Sequence, residues 1–350
     1  MDSIDLRSDT VSWPTPAMRE AMAHAQVGDD VWGDDPTVKR LQEMAADRTS
    51  KQAALFVPSG TMANLVSALA HCDRGDELIL GDQSHTFRYE AGGISAVGSI
   101  HPHTLRNHPD GTIAFEDIEA AIRPAGNPHF PRTAAIFVEN THNICGGAAI
   151  PPSYFQALRH LADRHGIAIH LDGARIFNAA IALGCSVTDI TQHVDTVSFC
   201  LSKGLCAPVG SLVCGPANLI DRANRMRKVL GGGMRQAGII AAAGIVALHQ
   251  MVDRLADDHR NAKRLAEGLA QIRGIEIDPA SVQTNLVFFG LSAEIPIDPQ
   301  RLILRLDKEH NVKIGSRGGR RFRVVTHYWI TPERVEIVID AFRAVLASAH

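Results

Sequence analysis

From Ala53 onward, short apolar runs alternate with longer segments in which apolar residues recur every three or four positions. Ala53 to Val57, Glu77 to Leu80, Thr133 to Glu139, Ile167 to Leu171, Thr196 to Leu201 and Ser211 to Cys214 are predicted as strands. Helix start signals fall between them. Asp35 and Pro36 supply an N-cap and a first-turn proline ahead of Val38, Leu41 and Met44, and Pro151-Pro152-Ser153 precedes Tyr154, Leu158 and Leu161. Strands alternating with amphipathic helices predict an α/β fold, a large doubly wound, mainly parallel sheet with helices on both faces. From about Arg235 a long Ala-rich helical stretch leads away, and the pattern changes to strand Asn285 to Phe289, helix Pro299 to His310, strand Phe322 to Thr326 and helix Pro332 to Ala347. The expected division is a large domain with an N-terminal arm over residues 1–234, then a linking helix and a small C-terminal α+β domain over 235–350. No internal repeat or flexible linker is evident.

Composition narrows the class. A chain of 350 residues suggests roughly two domains. With 45% hydrophobic and 21% charged residues, it excludes disorder, collagen and coiled coil. Lys plus Arg is 35 against Asp plus Glu at 38, so no one-sided field attracts nucleic acid or an anionic membrane. The apolar stretch Ile239 to Leu248 is too short and too rich in Ala and Gly to span a bilayer. Met1-Asp2-Ser3-Ile4-Asp5 begins with acid where a signal peptide begins with base, so a cytoplasmic enzyme is expected. The six cysteines form no C-x-x-C pair and are read as reduced thiols in hydrophobic surroundings. The 17 histidines form no zinc-type cluster, and no metal is assigned.

Neither a G-x-G-x-x-G after the first strand nor a Walker pattern is present. The first strand instead leads into Pro58-Ser59-Gly60-Thr61-Met62-Ala63-Asn64, where Ser59, Gly60 and Thr61 open an amphipathic helix. Free amides and hydroxyls at a helix N-terminus suit a phosphate, or else simply cap the helix. In His170-Leu171-Asp172-Gly173-Ala174-Arg175 a strand ends in a carboxylate, facing the ligand crevice or capping the next helix. In Ser198 to Gly204 a lysine, Lys203, ends a buried strand; burying an unpaired ammonium is costly, so Lys203 would titrate low or form a Schiff base. An amine for an aldehyde, a carboxylate for a pyridine nitrogen and a phosphate cradle together suit pyridoxal 5'-phosphate. His85, within Ser84 to Glu90, could stack on such a ring, act as a base, or be a surface histidine.

Longer motifs carry a resemblance. Asp5 to Val11, Val27 to Val38, Glu139-Asn140-Thr141-His142-Asn143, His170 to Ile176, Leu201 to Leu205 and Gly231-Gly232-Gly233-Met234-Arg235-Gln236 resemble the low-specificity threonine aldolase family, in order, from about residue 5 to 330. The resemblance implies a fold-type-I pyridoxal phosphate enzyme assembled as a homotetramer, a dimer of dimers with active sites shared between subunits. It implies Lys203 as the Schiff-base lysine, Asp172 as the partner of the pyridine nitrogen, and Arg175 near the cofactor hydroxyl and substrate carboxylate. Ser59, Gly60 and Thr61 match the phosphate cradle, and His85 the ring-stacking histidine. Ser8 and Arg323 match the pair gripping the substrate carboxylate, and Lys228 and Arg235 a segment reaching a neighbouring subunit's phosphate. The implied reaction cleaves β-hydroxy-α-amino acids such as L-threonine and L-allo-threonine to glycine and an aldehyde, with His85 or His142 taking the hydroxyl proton. Two positions depart from the family pattern: Tyr328-Trp329-Ile330 follows Thr326-His327, and Trp32 stands where tyrosine is common. Either could favour phenylserine or simply repack the surface. A β-eliminating lyase or an aminotransferase of the same fold explains the Glu139 to Asn143 and Gly231 to Gln236 motifs less well. A non-catalytic scaffold fits poorly with the retained Lys203, Asp172 and Arg175.

Overall fold

The computed structural model describes residues 3–348; Met1 and Asp2, which open the acidic N-terminus, lie outside the described residues. Strand β1 (Ile4–Asp5) belongs to the N-terminal arm, and β2 (Ala53–Val57), β3 (Glu77–Gly81), β4 (His101–Leu105), β5 (Thr133–Glu139), β6 (Ala168–Asp172), β7 (Thr196–Cys200) and β8 (Ser211–Gly215) build the large sheet. Its order is β2-β8-β7-β6-β5-β3-β4. Only β8 runs antiparallel to its neighbours β2 and β7; the remaining pairs are parallel. Every residue of β3, β5, β7 and β8 is buried, as a sheet covered on both faces requires. The apolar pattern placed six of these seven strands. It did not show β4, His-Pro-His-Thr-Leu, which lies at the sheet edge, where a proline and two imidazoles are tolerated.

Register fixes the site. Glu139 pairs with Asp172, and Asp172 with Ser198, so the C-terminal ends of β5, β6 and β7 form one row. Lys203 follows three residues beyond the end of β7, in a turn rather than in the strand itself.

The second unit contains β9 (Ile275–Glu276), β10 (Leu286–Leu291), β11 (Val312–Lys313), β12 (Gly315–Ser316) and β13 (Arg321–Val325). An antiparallel sheet of order β12-β13-β10-β9 packs against helices Pro299–His310 and Pro332–Ala347, which begin and end where the sequence places them. Asp298 and Thr331 cap their N-termini by accepting first-turn amides. Strand β1 pairs in parallel with β11, and Ile4 and Leu6 join the small unit's core with Phe289 and Phe342. The arm is thereby tied to the small unit before it crosses to the large one.

The long Ala-rich stretch is two helices. Gly238–Val246 continues through a wider turn, Ala247–Met251, and then bends by 69° into Leu255–Ala270. Small residues let the first helix seat closely: a Cβ on Gly244 would lie 2.8 Å from Leu201 Cδ1. Ala241, Ala243 and Leu248 belong to the large core. No single helix among the described residues is long and apolar enough to cross a membrane. All six cysteines are unpaired; Cys72, Cys200, Cys206 and Cys214 are buried, and Cys145 and Cys185 are half-buried. Burial pushes the Cys72, Cys206 and Cys214 thiols up to about 12.

Candidate active site

At the C-terminal ends of β5 to β7 lies a cavity of about 230 Å3. The strand ends contribute Glu139 and Asp172, the following turns Asn143, Ala174, Arg175 and Lys203, and the segment after β3 His85 and Tyr89. The arm adds Ser8 and Thr10, and the small unit adds Arg317 and Arg323.

Asp172 Oδ2 accepts from Asn64 Nδ2 at 2.8 Å and its Oδ1 from the Ala174 amide at 3.1 Å. Helix Ile176–Leu183 has no side-chain cap, so capping is not this carboxylate's task. Asn64 also donates to Glu90 Oε1 at 2.8 Å, and Glu90 Oε1 bonds His85 Nδ1 at 2.8 Å. The chain Asp172, Asn64, Glu90, His85 thus links the carboxylate to the imidazole. Burial disfavours the charged imidazole, but the hydrogen bond it donates to Glu90 and the charge of Asp172 outweigh it, and His85 titrates above its ordinary range. Burial, reinforced by Asp172, raises Glu90 as well. The buried Glu139 clamps the same region, with Oε2 accepting the His85 amide at 2.7 Å and Oε1 the Asn143 amide at 2.8 Å.

Lys203 is the one lysine in the cavity wall. Its carbonyl accepts from Ser12 Oγ at 3.0 Å, which pins the arm against the turn carrying the amine. The same wall carries three guanidiniums, those of Arg175, Arg317 and Arg323. Arg323 donates from Nη1 to Asn143 Oδ1 at 2.7 Å and from Nη2 to the Arg7 carbonyl at 3.1 Å. Its Nε is buried without a hydrogen-bond partner among the described residues. Burial and the charges of Arg175 and Arg317 pull the Arg323 pKa down to about 10. An orphaned donor in so positive a wall fits a ligand carboxylate. Arg175 is different, because its Nε and Nη2 are taken by the buried Asp9 at 2.7 Å each.

Other expected residues lie outside this cavity. Ser59 Oγ caps the Met62 amide at 3.1 Å, leaving the Gly60 and Thr61 amides at the start of helix Gly60–His71 without intrahelical partners. A Cβ on Gly60 would stand 2.9 Å from Cys200 Sγ, so glycine keeps this entrance open. Asn64, one turn further along the helix, touches Asp172, which sets the cradle beside the cavity although not in its wall. Arg235 pairs with Asp29 at 2.9 Å, and Lys228 borders a separate cavity of about 440 Å3 with Val31, Arg227 and Gly233. A single chain does not bring these two cations to Lys203. His142 is buried beside Gly111; its Nδ1 accepts the Cys145 amide at 3.4 Å, its Nε2 has no partner among the described residues, and it does not line the cavity. Trp329 stacks on Trp13 with centroids 4.5 Å apart, and Tyr328 takes the Arg254 guanidinium over its ring at 5.0 Å. Neither lines the cavity, so this departure repacks the junction of arm and small unit.

This sheet topology, with a lysine and a carboxylate at its strand ends and a small unit closing over them, is the architecture of fold-type-I pyridoxal phosphate enzymes. The family described as beta-eliminating lyase matches residues 5–292. Low-specificity L-threonine aldolase 1 of Arabidopsis thaliana is 48% identical, over 98% of this chain and 96% of the relative. The low specificity L-threonine aldolase of Escherichia coli K12 is 45% identical, over 98% and 99%. The solved threonine aldolase of Leishmania major shares the fold with a TM-score of 0.81 at 19% identity, over 98% of this chain and 99% of that one. The chain belongs to the beta-eliminating lyase family and, within it, to the low-specificity L-threonine aldolases.

Proposed function

We propose that this chain is a cytoplasmic, pyridoxal 5'-phosphate-dependent aldolase that cleaves L-threonine and L-allo-threonine to glycine and acetaldehyde. The observation that carries the reading is the single cavity joining Lys203 and Asp172 to the unpartnered Nε of Arg323. When bound, the cofactor supplies a ring that takes up the electron pair released at Cα.

The chain's own residues do the rest. Lys203 would hold the cofactor through its aldehyde, its amine being the nucleophile the cavity supplies. Asp172, held by Asn64 and the Ala174 amide, serves the pyridine nitrogen. The Gly60 and Thr61 amides with Ser59 hold the phosphate, joined by Lys228 and Arg235 from a neighbouring subunit of a homotetramer. Arg323, Ser8 and Arg175 hold the substrate carboxylate. Glu90 occupies Nδ1 of His85, leaving Nε2 to take the proton of the substrate hydroxyl, directly or through a water. The enclosed position of His142 favours His85 for this step.

The reading is tested by incubating the cofactor-loaded protein with L-threonine, L-allo-threonine and L-phenylserine while glycine, aldehyde, ammonia and keto acid are quantified together. Glycine with equimolar aldehyde is expected. Ammonia with keto acid would mean elimination, and an amine moved to an added keto acid would mean transamination.

A further inference from the structure

Asp9 is fully buried, although its neighbours Ser8 and Thr10 line the cavity. Arg175 Nε donates to its Oδ2 at 2.7 Å and Nη2 to its Oδ1 at 2.7 Å, fork against fork. Asn285 Nδ2 adds a bond to Oδ2 at 3.2 Å, and the same Nδ2 donates to the Thr326 carbonyl at 3.0 Å. One carboxylate therefore joins the arm, the large unit through Arg175 and the small unit through Asn285. A two-point pair of this kind fixes both the plane and the roll of a guanidinium, and the edge it occupies is lost to any other acceptor. Arg175 keeps its Nη1–Nη2 end, whereas Arg323 retains a buried, unpartnered Nε. Arg175 and Arg323, which with Arg317 line the same cavity, thus present different edges, and Asp9 sets the edge that Arg175 presents.

We infer that Asp9 is a positioning residue of the substrate-carboxylate site: by occupying the Nε and Nη2 edge of Arg175 it fixes the plane of that guanidinium and leaves only its Nη1–Nη2 end for an incoming carboxylate, while Arg323 offers its unpartnered Nε. This rests on the reading under Proposed function, in which a carboxylate enters the cavity. A carboxylate that only neutralised a buried arginine and anchored the arm would stabilise the fold without affecting the choice of ligand. In Asp9→Asn the acceptor fork is gone, and an amide N–H can face the donors of Arg175. The guanidinium is then free to roll, and the carboxylate site loses its geometry.

The test uses the cofactor-loaded protein and two probes that differ only in the carboxyl group, glycine and glycinamide, with binding followed by the cofactor's absorbance. Asp9→Asn is expected to weaken glycine about tenfold or more while glycinamide changes less than about twofold, the scale of a lost charge-assisted contact. Asp9→Glu, which keeps the charge, is expected to recover part of the glycine affinity, and it carries the test should the asparagine variant not fold. Equal weakening of both probes, or unchanged glycine binding with a lower Tm, would assign Asp9 to the fold alone and overturn the inference. Wild-type protein that fails to favour glycine over glycinamide would instead overturn the functional reading, and this inference with it.

Discussion

Arg323 is a half-buried cation with a buried spare donor, an arrangement that is costly unless a ligand completes it. Its replacement by lysine keeps the charge and loses the planar fork. Arg323→Lys is expected to raise KM for L-threonine by about ten- to a hundredfold and to change kcat less, as steady-state kinetics would show. His85 offers a pH signature. A base works unprotonated, and the folded protein raises this imidazole, so the acid limb of kcat/KM is expected above about 6.5. Glu90→Gln removes the stabilising carboxylate, so the limb should move to lower pH in a pH-rate profile. Lys203, Asp172 and His85 were each singled out from the sequence, and all three line the one cavity. Asn64, Glu90, Glu139 and Asp9 were not assigned a role, because their meaning lies in contacts such as Asn64 with Asp172 and Asp9 with Asn285, whose partners stand 108 and 276 positions apart. The choice between His85 and His142 likewise required knowing which ring reaches the cavity.

Among the elements, six of the seven strands of the large sheet and the terminal helices followed from periodicity, since buried strands and capped amphipathic helices announce themselves locally. The bend after Met251 did not, because Val252 to Arg254 include no proline or glycine, and the turn is set by what the two helices pack against. Asp258, fully enclosed in the first turn of Leu255–Ala270, pairs with Arg254. Burial outweighs that pair and raises Asp258 to about 6. The folded state thus keeps a proton that the unfolded chain releases near pH 4, so its contribution to stability is full below about 4 and is lost as pH rises towards 6. Tm measured from pH 4 to 7 should show this decline in the wild type and a flatter profile in Asp258→Asn. The helix that opens the cradle has its own test. Gly60→Val would drive a side chain against Cys200, and equilibrium titration is expected to show pyridoxal phosphate binding at least about tenfold more weakly.

At the scale of the molecule, the arm is held by the small unit through β1 and contributes Ser8, Asp9 and Thr10 to the large unit's site. The cavity wall is therefore divided between both units. Trp32 is 78% exposed and Val229 69%, near the segment bearing Lys228 and Arg235. In the proposed tetramer these side chains would be covered by a neighbouring subunit, and light scattering is expected to find a tetramer that Trp32→Glu dissociates, with weaker cofactor binding in the dissociated form. The sequence motifs pointed to such an assembly only through resemblance, since one chain's periodicity says nothing of its neighbours. The central claim concerns the chemistry at Lys203. It is tested most directly by quantifying products from L-threonine with the wild type and with Lys203→Ala, both supplied with pyridoxal phosphate. The account predicts glycine and acetaldehyde in equal amounts from the wild type, and neither turnover nor covalently held cofactor in the variant. Ammonia and a keto acid from the wild type, or normal turnover by Lys203→Ala, would contradict it.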